Sequence, residues 1–112
     1  VSEADLEKAD DMSRRAISQN PDNPTYLDTR AWVLFRKKDF DQARELEERA
    51  IELLGDDADA DEKGEYLHHL GDILFMLNEP DKAIEMWKMA LKACPDDSLL
   101  HKKVRDRTFY YE

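Results

Sequence analysis

The sequence predicts an all-α protein built from repeated helix pairs, on three observations. Charged residues make up 39% of the 112 residues, against only three Gly and four Pro. That composition suits helices with wide solvated faces. Small residues also recur in register. Align "LEKADDMSRRAISQNPDN", "FDQARELEERAIELLGDD" and "PDKAIEMWKMALKACPDD" on Ala9, Ala43 and Ala83. A second alanine then follows seven positions later in each, at Ala16, Ala50 and Ala90, and after it Ile17, Ile51 and Leu91. The stretches between these copies match as well: "TYLDTRAWVLFRKKDFDQA" lies over "EYLHHLGDILFMLNEPDKA", with Leu27 on Leu67, Ala31 on Gly71, Leu34 on Leu74 and Phe35 on Phe75. The alanine spacing is 34 residues and then 40. Periods of roughly 20–50 residues are the mark of helical arrays.

Each element has local reasons. The first helix runs from Glu3 to about Asn20, stops before Pro21, and carries Leu6, Ala9, Met12 and Ala16 on one stripe. Asn23 caps the second helix, and Pro24 takes its first position. Leu27, Ala31 and Leu34 fall at i, i+4 and i+7 of one buried face. Asp39 and Gln42 have capping-box spacing before the third helix. There Ala43 and Ala50 let the partner helix approach, where larger side chains would wedge the pair apart. The fourth helix begins near Ala60, with Asp59 and Glu62 at capping-box spacing, and buries Leu70, Gly71 and Leu74. Pro80 starts the fifth, which carries Ala83, Trp87 and Ala90 and closes before Pro95. Ser98 caps a last helix, about Leu99 to Tyr110, with Leu100 and Val104 on one face. The run "HKKVRDR" makes its outer face polar.

The stretch "LHHLGDILFMLNEPDKAIEMWKMALKACPDD", with Leu70, Gly71, Leu74, Ala83, Trp87, Ala90 and Pro95, resembles a tetratricopeptide repeat. The resemblance runs from about Leu6 to Asp97. The earlier copy departs from the pattern: Arg30 stands in place of Leu, and Glu47 in place of an aromatic residue. The resemblance implies a right-handed superhelical stack: a half repeat (3–20), two repeats (24–54 and 60–93) and a capping helix (98–110). It is similar to the C-terminal segment of longer bacterial repeat proteins, in cytoplasm or periplasm. The first helix then lacks its partner, which implies further repeats upstream and an apolar stripe open to weak homodimerisation.

What the resemblance implies for function is protein–protein interaction, with a peptide or helix held in a concave groove lined by the first helix of each pair. The groove side carries Thr25, Asp28, Trp32, Phe35 and Arg36 from one repeat, and Glu65, His68, Asp72, Phe75 and Met76 from the next. Trp32, Phe35, Phe75 and Met76 form an apolar patch with a polar rim, a composition of binding surfaces. Some family members grip a chaperone's C-terminal carboxylate with Lys, Asn and Arg. Here the same faces show Asp28, Trp32, Glu65 and Asp72, which disfavours that grip. The alternatives are a purely structural cap of a longer array and a metal-responsive module.

The remaining signals argue against other classes. A net charge of -10 repels nucleic-acid backbones and anionic membranes, and no apolar run approaches the ~18 residues a membrane span needs. Cys94 is the only cysteine, at a helix end, and reads as a small packing residue. Asp57, Asp59 and Asp61 begin like a calcium loop. Counting from Asp57, however, the sixth residue is Glu62 and the twelfth is His68, where such a loop needs Gly and Glu. His68 and Asp72 at i, i+4 could supply two metal ligands, but no third is evident. No phosphate-binding, nucleophile or zinc-protease motif occurs, so neither an enzyme nor a cofactor is expected.

Overall fold

The computed structural model describes residues 3–56 and 58–111. Asp57, the first acid of the alternating run, lies outside them. Among the described residues there are six helices and no strand: α1 (Glu3–Gln19), α2 (Pro24–Arg36), α3 (Phe40–Leu54), α4 (Ala60–Met76), α5 (Pro80–Ala93) and α6 (Ser98–Asp106). They group into two compact units, α1–α3 and α4–α6.

In the first unit α2 packs on α3, and α1 on α2. Asn23 accepts a hydrogen bond from the Tyr26 N–H at 3.1 Å, so the start of α2 has its side-chain cap. The turn from α2 to α3 is a Schellman motif: Lys38 sits at φ 67, its N–H reaches the Phe35 carbonyl (3.0 Å), and the Asp39 N–H reaches that of Leu34 (2.9 Å). Asp39 then caps α3, accepting from the Gln42 N–H at 3.4 Å and from the Gln42 side-chain amide at 2.8 Å. The core holds Leu27, Ala31, Val33, Leu34 and Phe35 against Ala43 and Ala50.

The second unit repeats this forty residues on. Asn78 sits at φ 63, with its N–H on the Phe75 carbonyl (3.1 Å) and that of Glu79 on Leu74 (3.0 Å). Asp59 caps α4 by accepting from the Asp61 N–H at 3.0 Å. Glu62 does not complete a capping box; it accepts from the Tyr66 hydroxyl at 3.2 Å. The core gathers Leu67, Leu70, Ile73 and Leu74 with Ala83, Ile84, Trp87 and Ala90, all buried. Gly71 permits the closest approach. A Cβ there would stand 2.4 Å from Cδ1 and Nε1 of Trp87, so the indole occupies the place of a side chain.

The last helix differs from expectation at both ends. Its cap is Asp97, which accepts from the Leu100 N–H at 3.0 Å, and Ser98 is already helical. It stops at Asp106 rather than near Tyr110. Arg107 turns left-handed (φ 55), and the Thr108 N–H returns to the Lys103 carbonyl at 3.2 Å. The tail therefore folds back toward the helix that precedes it.

Candidate interaction surfaces

In the first unit α2 brings Thr25, Asp28, Trp32 and Arg36 to one side by helical spacing. The Trp32 ring stacks on Phe35 at 4.6 Å between centroids and 8° between planes. Phe35 meets Phe40 edge-on at 5.5 Å and is buried, whereas Trp32 is half-buried and Arg36 exposed. Phe35 is thus the support beneath Trp32 rather than a surface residue. Asp28 is buried as well.

The buried side of α1 was not foreseen. Asp10 and Ser13 are its buried residues, while Met12, expected to be open to water, is 69% exposed. Arg30, the departure from Leu, explains this. Its guanidinium bonds the Asp10 carboxylate, the Asp10 carbonyl at 3.1 Å and the Ser13 hydroxyl at 3.2 Å. Arg14 (2.7 Å) and Lys37 (3.4 Å) reach the same carboxylate. The Arg30 hydrogen bond above all holds the Asp10 carboxyl below the usual carboxylate range.

In the second unit the expected groove residues divide. Glu65 is exposed, and Phe75 and Met76 are half-buried. Phe75 stacks on the buried Trp87 at 5.8 Å. His68 and Asp72, read from the sequence as groove residues, are buried instead, because α6 sends Lys103 onto them. The Lys103 ammonium donates to Asp72 Oδ1 at 2.8 Å and lies 2.7 Å from His68 Nε2. Trp87 donates its indole N–H to the same Asp72 oxygen at 3.0 Å. The ammonium also lies 4.8 Å from the Phe109 ring centroid and 5.8 Å from that of Trp87, within cation–π range. The ion between His68 and Asp72, 3.9 Å apart, is therefore an ammonium, and the two-ligand metal option gives way to it.

Protonation follows from this packing. Burial first, then the charge of Lys103, pushes His68 down to about 4, so its imidazole is neutral and its Nε2 lone pair faces the ammonium. Burial pushes Asp72 up to about 6, against the pull of Lys103 and Trp87. At neutral pH the pair is an ion pair. A polar outer face was expected for the whole of "HKKVRDR", and Lys103 departs from it completely, with none of its surface exposed.

The expected packing residues Leu27, Ala31, Leu34, Ala43, Ala50, Leu70, Gly71, Leu74, Ala83, Trp87 and Ala90 all lie buried. Glu47, the second departure, is fully buried where the other repeat has Trp87.

Comparison with known proteins agrees with this geometry. Residues 64–97 match the tetratricopeptide repeat model. The N-terminal domain of stress-induced protein-1 from C. elegans is similar, with a TM-score of 0.73 and 25% identity over 85% of this chain and 75% of that one. The first TPR of Spaghetti (RPAP3), solved bound to the HSP90 peptide SRMEEVD, has a TM-score of 0.80 over 93% of this chain and 78% of that one; its 20% identity speaks to fold alone. No curated protein sequence matches the chain. Repeat motif, helix pairing and structural likeness agree: residues 64–97 match a tetratricopeptide repeat, and the chain is similar in fold to tetratricopeptide repeat domains.

Proposed function

We propose that the chain binds other proteins, seating a peptide or helix against the partly exposed aromatic residues of α2 in the first unit or of α4 in the second. The observation that carries this is the support under each aromatic. Trp32 is half-buried and stacked on buried Phe35, with exposed Arg36 beside it. Phe75, beside Met76, is half-buried and stacked on buried Trp87. Rings held this way lose little rotamer freedom when a partner covers them, so more of the burial energy appears as affinity. A purely structural role gives no reason for them to stay partly in water.

Of the earlier groove set, Trp32, Arg36, Phe75 and Met76 are the proposed contacts. Phe35, His68 and Asp72 act from beneath. The matched tetratricopeptide repeat over residues 64–97 supports the class of function. The net charge of -10 favours a basic or apolar partner over an acidic peptide such as SRMEEVD. The repeat is a fold of interaction modules, and no enzymatic activity is proposed.

Affinity enrichment with the tagged chain tests this reading. Trp32→Ala and Phe75→Ala should each lose partners while keeping the wild-type helical content. An unchanged partner set in both variants would remove the reading. Weak homodimerisation through α1 is proposed beside it, from the exposure of Met12 next to half-buried Leu6, Ala9 and Ala16.

A further inference from the structure

In the second unit three side chains surround one alkylammonium group, and one of them, Trp87, also stacks on Phe75. Asp72 and His68 on α4 supply a carboxylate oxygen and an imidazole nitrogen, and Trp87 on α5 supplies a ring wall and orients the carboxylate. These groups converge on one ammonium, that of Lys103. Among the nine residues of α6 Leu100 and Lys103 are buried, Leu99 and Val104 are half-buried, and His101 Nε2 lies 2.6 Å from the Pro95 carbonyl. The Arg107 guanidinium adds one exposed contact to Asp81 at 3.2 Å.

Charge is divided the same way. Residues 55–97 hold twelve acids against four lysines, while residues 98–112 hold four basic residues against two acidic ones. A basic helix is thus seated on an acidic repeat. Its hold combines one buried leucine, one buried lysine and an aromatic ring folded over that lysine, since Phe109 follows the left-handed turn at Arg107.

We propose that the α4–α5 face bearing Asp72, His68 and Trp87 is a binding site for a basic helical segment of a partner protein, and that α6 occupies it in cis through Lys103 and is displaced when that partner binds. The partner brings a lysine three residues after an aliphatic side chain, the spacing of Leu100 and Lys103. This deepens the reading of the chain as an interaction module and rests on it; Asp72 and His68 lie on the same side of α4 as Phe75, on the preceding turns, and Trp32 takes no part. The neutral state of His68 suits the role, because an imidazole acceptor welcomes an ammonium that an imidazolium would repel.

The test uses the full chain and a synthetic peptide of the α6 segment, SLLHKKVRDRTFYY, read by fluorescence anisotropy. Lys103→Ala empties the site while keeping Asp72, His68 and Trp87. It should bind the peptide at least tenfold tighter than the wild-type chain, whose own helix competes. A peptide with glutamine at the sixth position should bind at least tenfold more weakly. Leu100→Ala, which loosens α6 and leaves Asp72 paired, should act in the same direction, and it carries the test where circular dichroism shows Lys103→Ala unfolded. Equal binding of the two peptides, or no binding to either variant, would overturn the proposal. So would a wild-type dimer that Lys103→Ala abolishes, because the occupant would then be α6 of a second copy. Trp32→Ala should leave peptide binding unchanged, so failure here is separable from failure of the proposed aromatic contacts.

Discussion

Lys103 Nζ lies 2.8 Å from Asp72 Oδ1, and neither side chain reaches water to any useful extent: their exposures are 0% and 1%. Such a pair need not add much net stability, since desolvating both charges offsets their attraction. Removing one partner is different, because the other stays buried and uncompensated. Lys103→Met should therefore cost about 3–5 kcal/mol in chemical denaturation. Lys103→Met combined with Asp72→Leu should cost less than Lys103→Met alone. Single and double variants of equal stability would show that the two residues are not coupled.

The pH dependence of His68 and Asp72 has opposite signs. His68 has a folded value of about 4, below its ordinary 6.5, so its contribution is present at neutral pH and is lost as pH falls from about 6.5 toward 4. Asp72 has a folded value of about 6, above its ordinary 3.8, so its contribution grows as pH falls over nearly the same window. The two largely offset between pH 7 and 5. His68→Asn removes only the loss. Relative to wild type it should gain about 2 kcal/mol of stability between pH 7 and pH 5, measured by urea denaturation at both. Parallel pH profiles for the two proteins would show that His68 titrates alike in both states.

Gly71 has no room for a side chain beside Trp87. Gly71→Leu should destabilise the second unit by at least ~1–3 kcal/mol, through overpacking and displacement of the indole from Asp72. Gly71→Ala should do the same to a smaller degree, since even a Cβ meets the ring at 2.4 Å. Melting temperatures give the ordering wild type, Ala, Leu, and an unchanged melting temperature for Leu would contradict the packing.

Self-association through α1 should be weak. Met12 is exposed, but Leu6 and Ala16 are only half so, and association itself costs several kcal/mol, about 4 or more. Sedimentation equilibrium at moderate salt should show a concentration-dependent dimer that Leu6→Lys with Met12→Lys abolishes. A dimer that survives both substitutions would have to use another surface.

The fold was legible because packing repeats leave a periodic signal. Ala43 and Ala83, or Leu34 and Leu74, keep their residue type wherever the facing helix is close. Proline, Asn23 and Asp39 marked helix starts by local hydrogen bonding that needs no tertiary context. What stayed hidden were the buried charges. Lys103 and Asp10 carry charges, which residue type alone assigns to solvent, and their burial depends on partners 31 and 20 residues away. Two signals pointed to them. Arg30 breaks the repeat pattern where a leucine belongs, and Lys103 falls three residues after Leu100, on its stripe. His68 and Asp72 share one face of α4 by their spacing, but nothing in that spacing tells that α6 covers them.

The most direct measurement is a peptide array probed with the wild-type chain, Trp32→Ala and Phe75→Ala, with SRMEEVD as one of the spots. The wild-type chain should retain basic and aliphatic peptides, leave SRMEEVD unbound, and lose its strongest peptides in each variant at unchanged melting temperature. Equal retention by all three proteins, or preferential binding of SRMEEVD, would contradict an interaction surface built on supported aromatics in an acidic repeat.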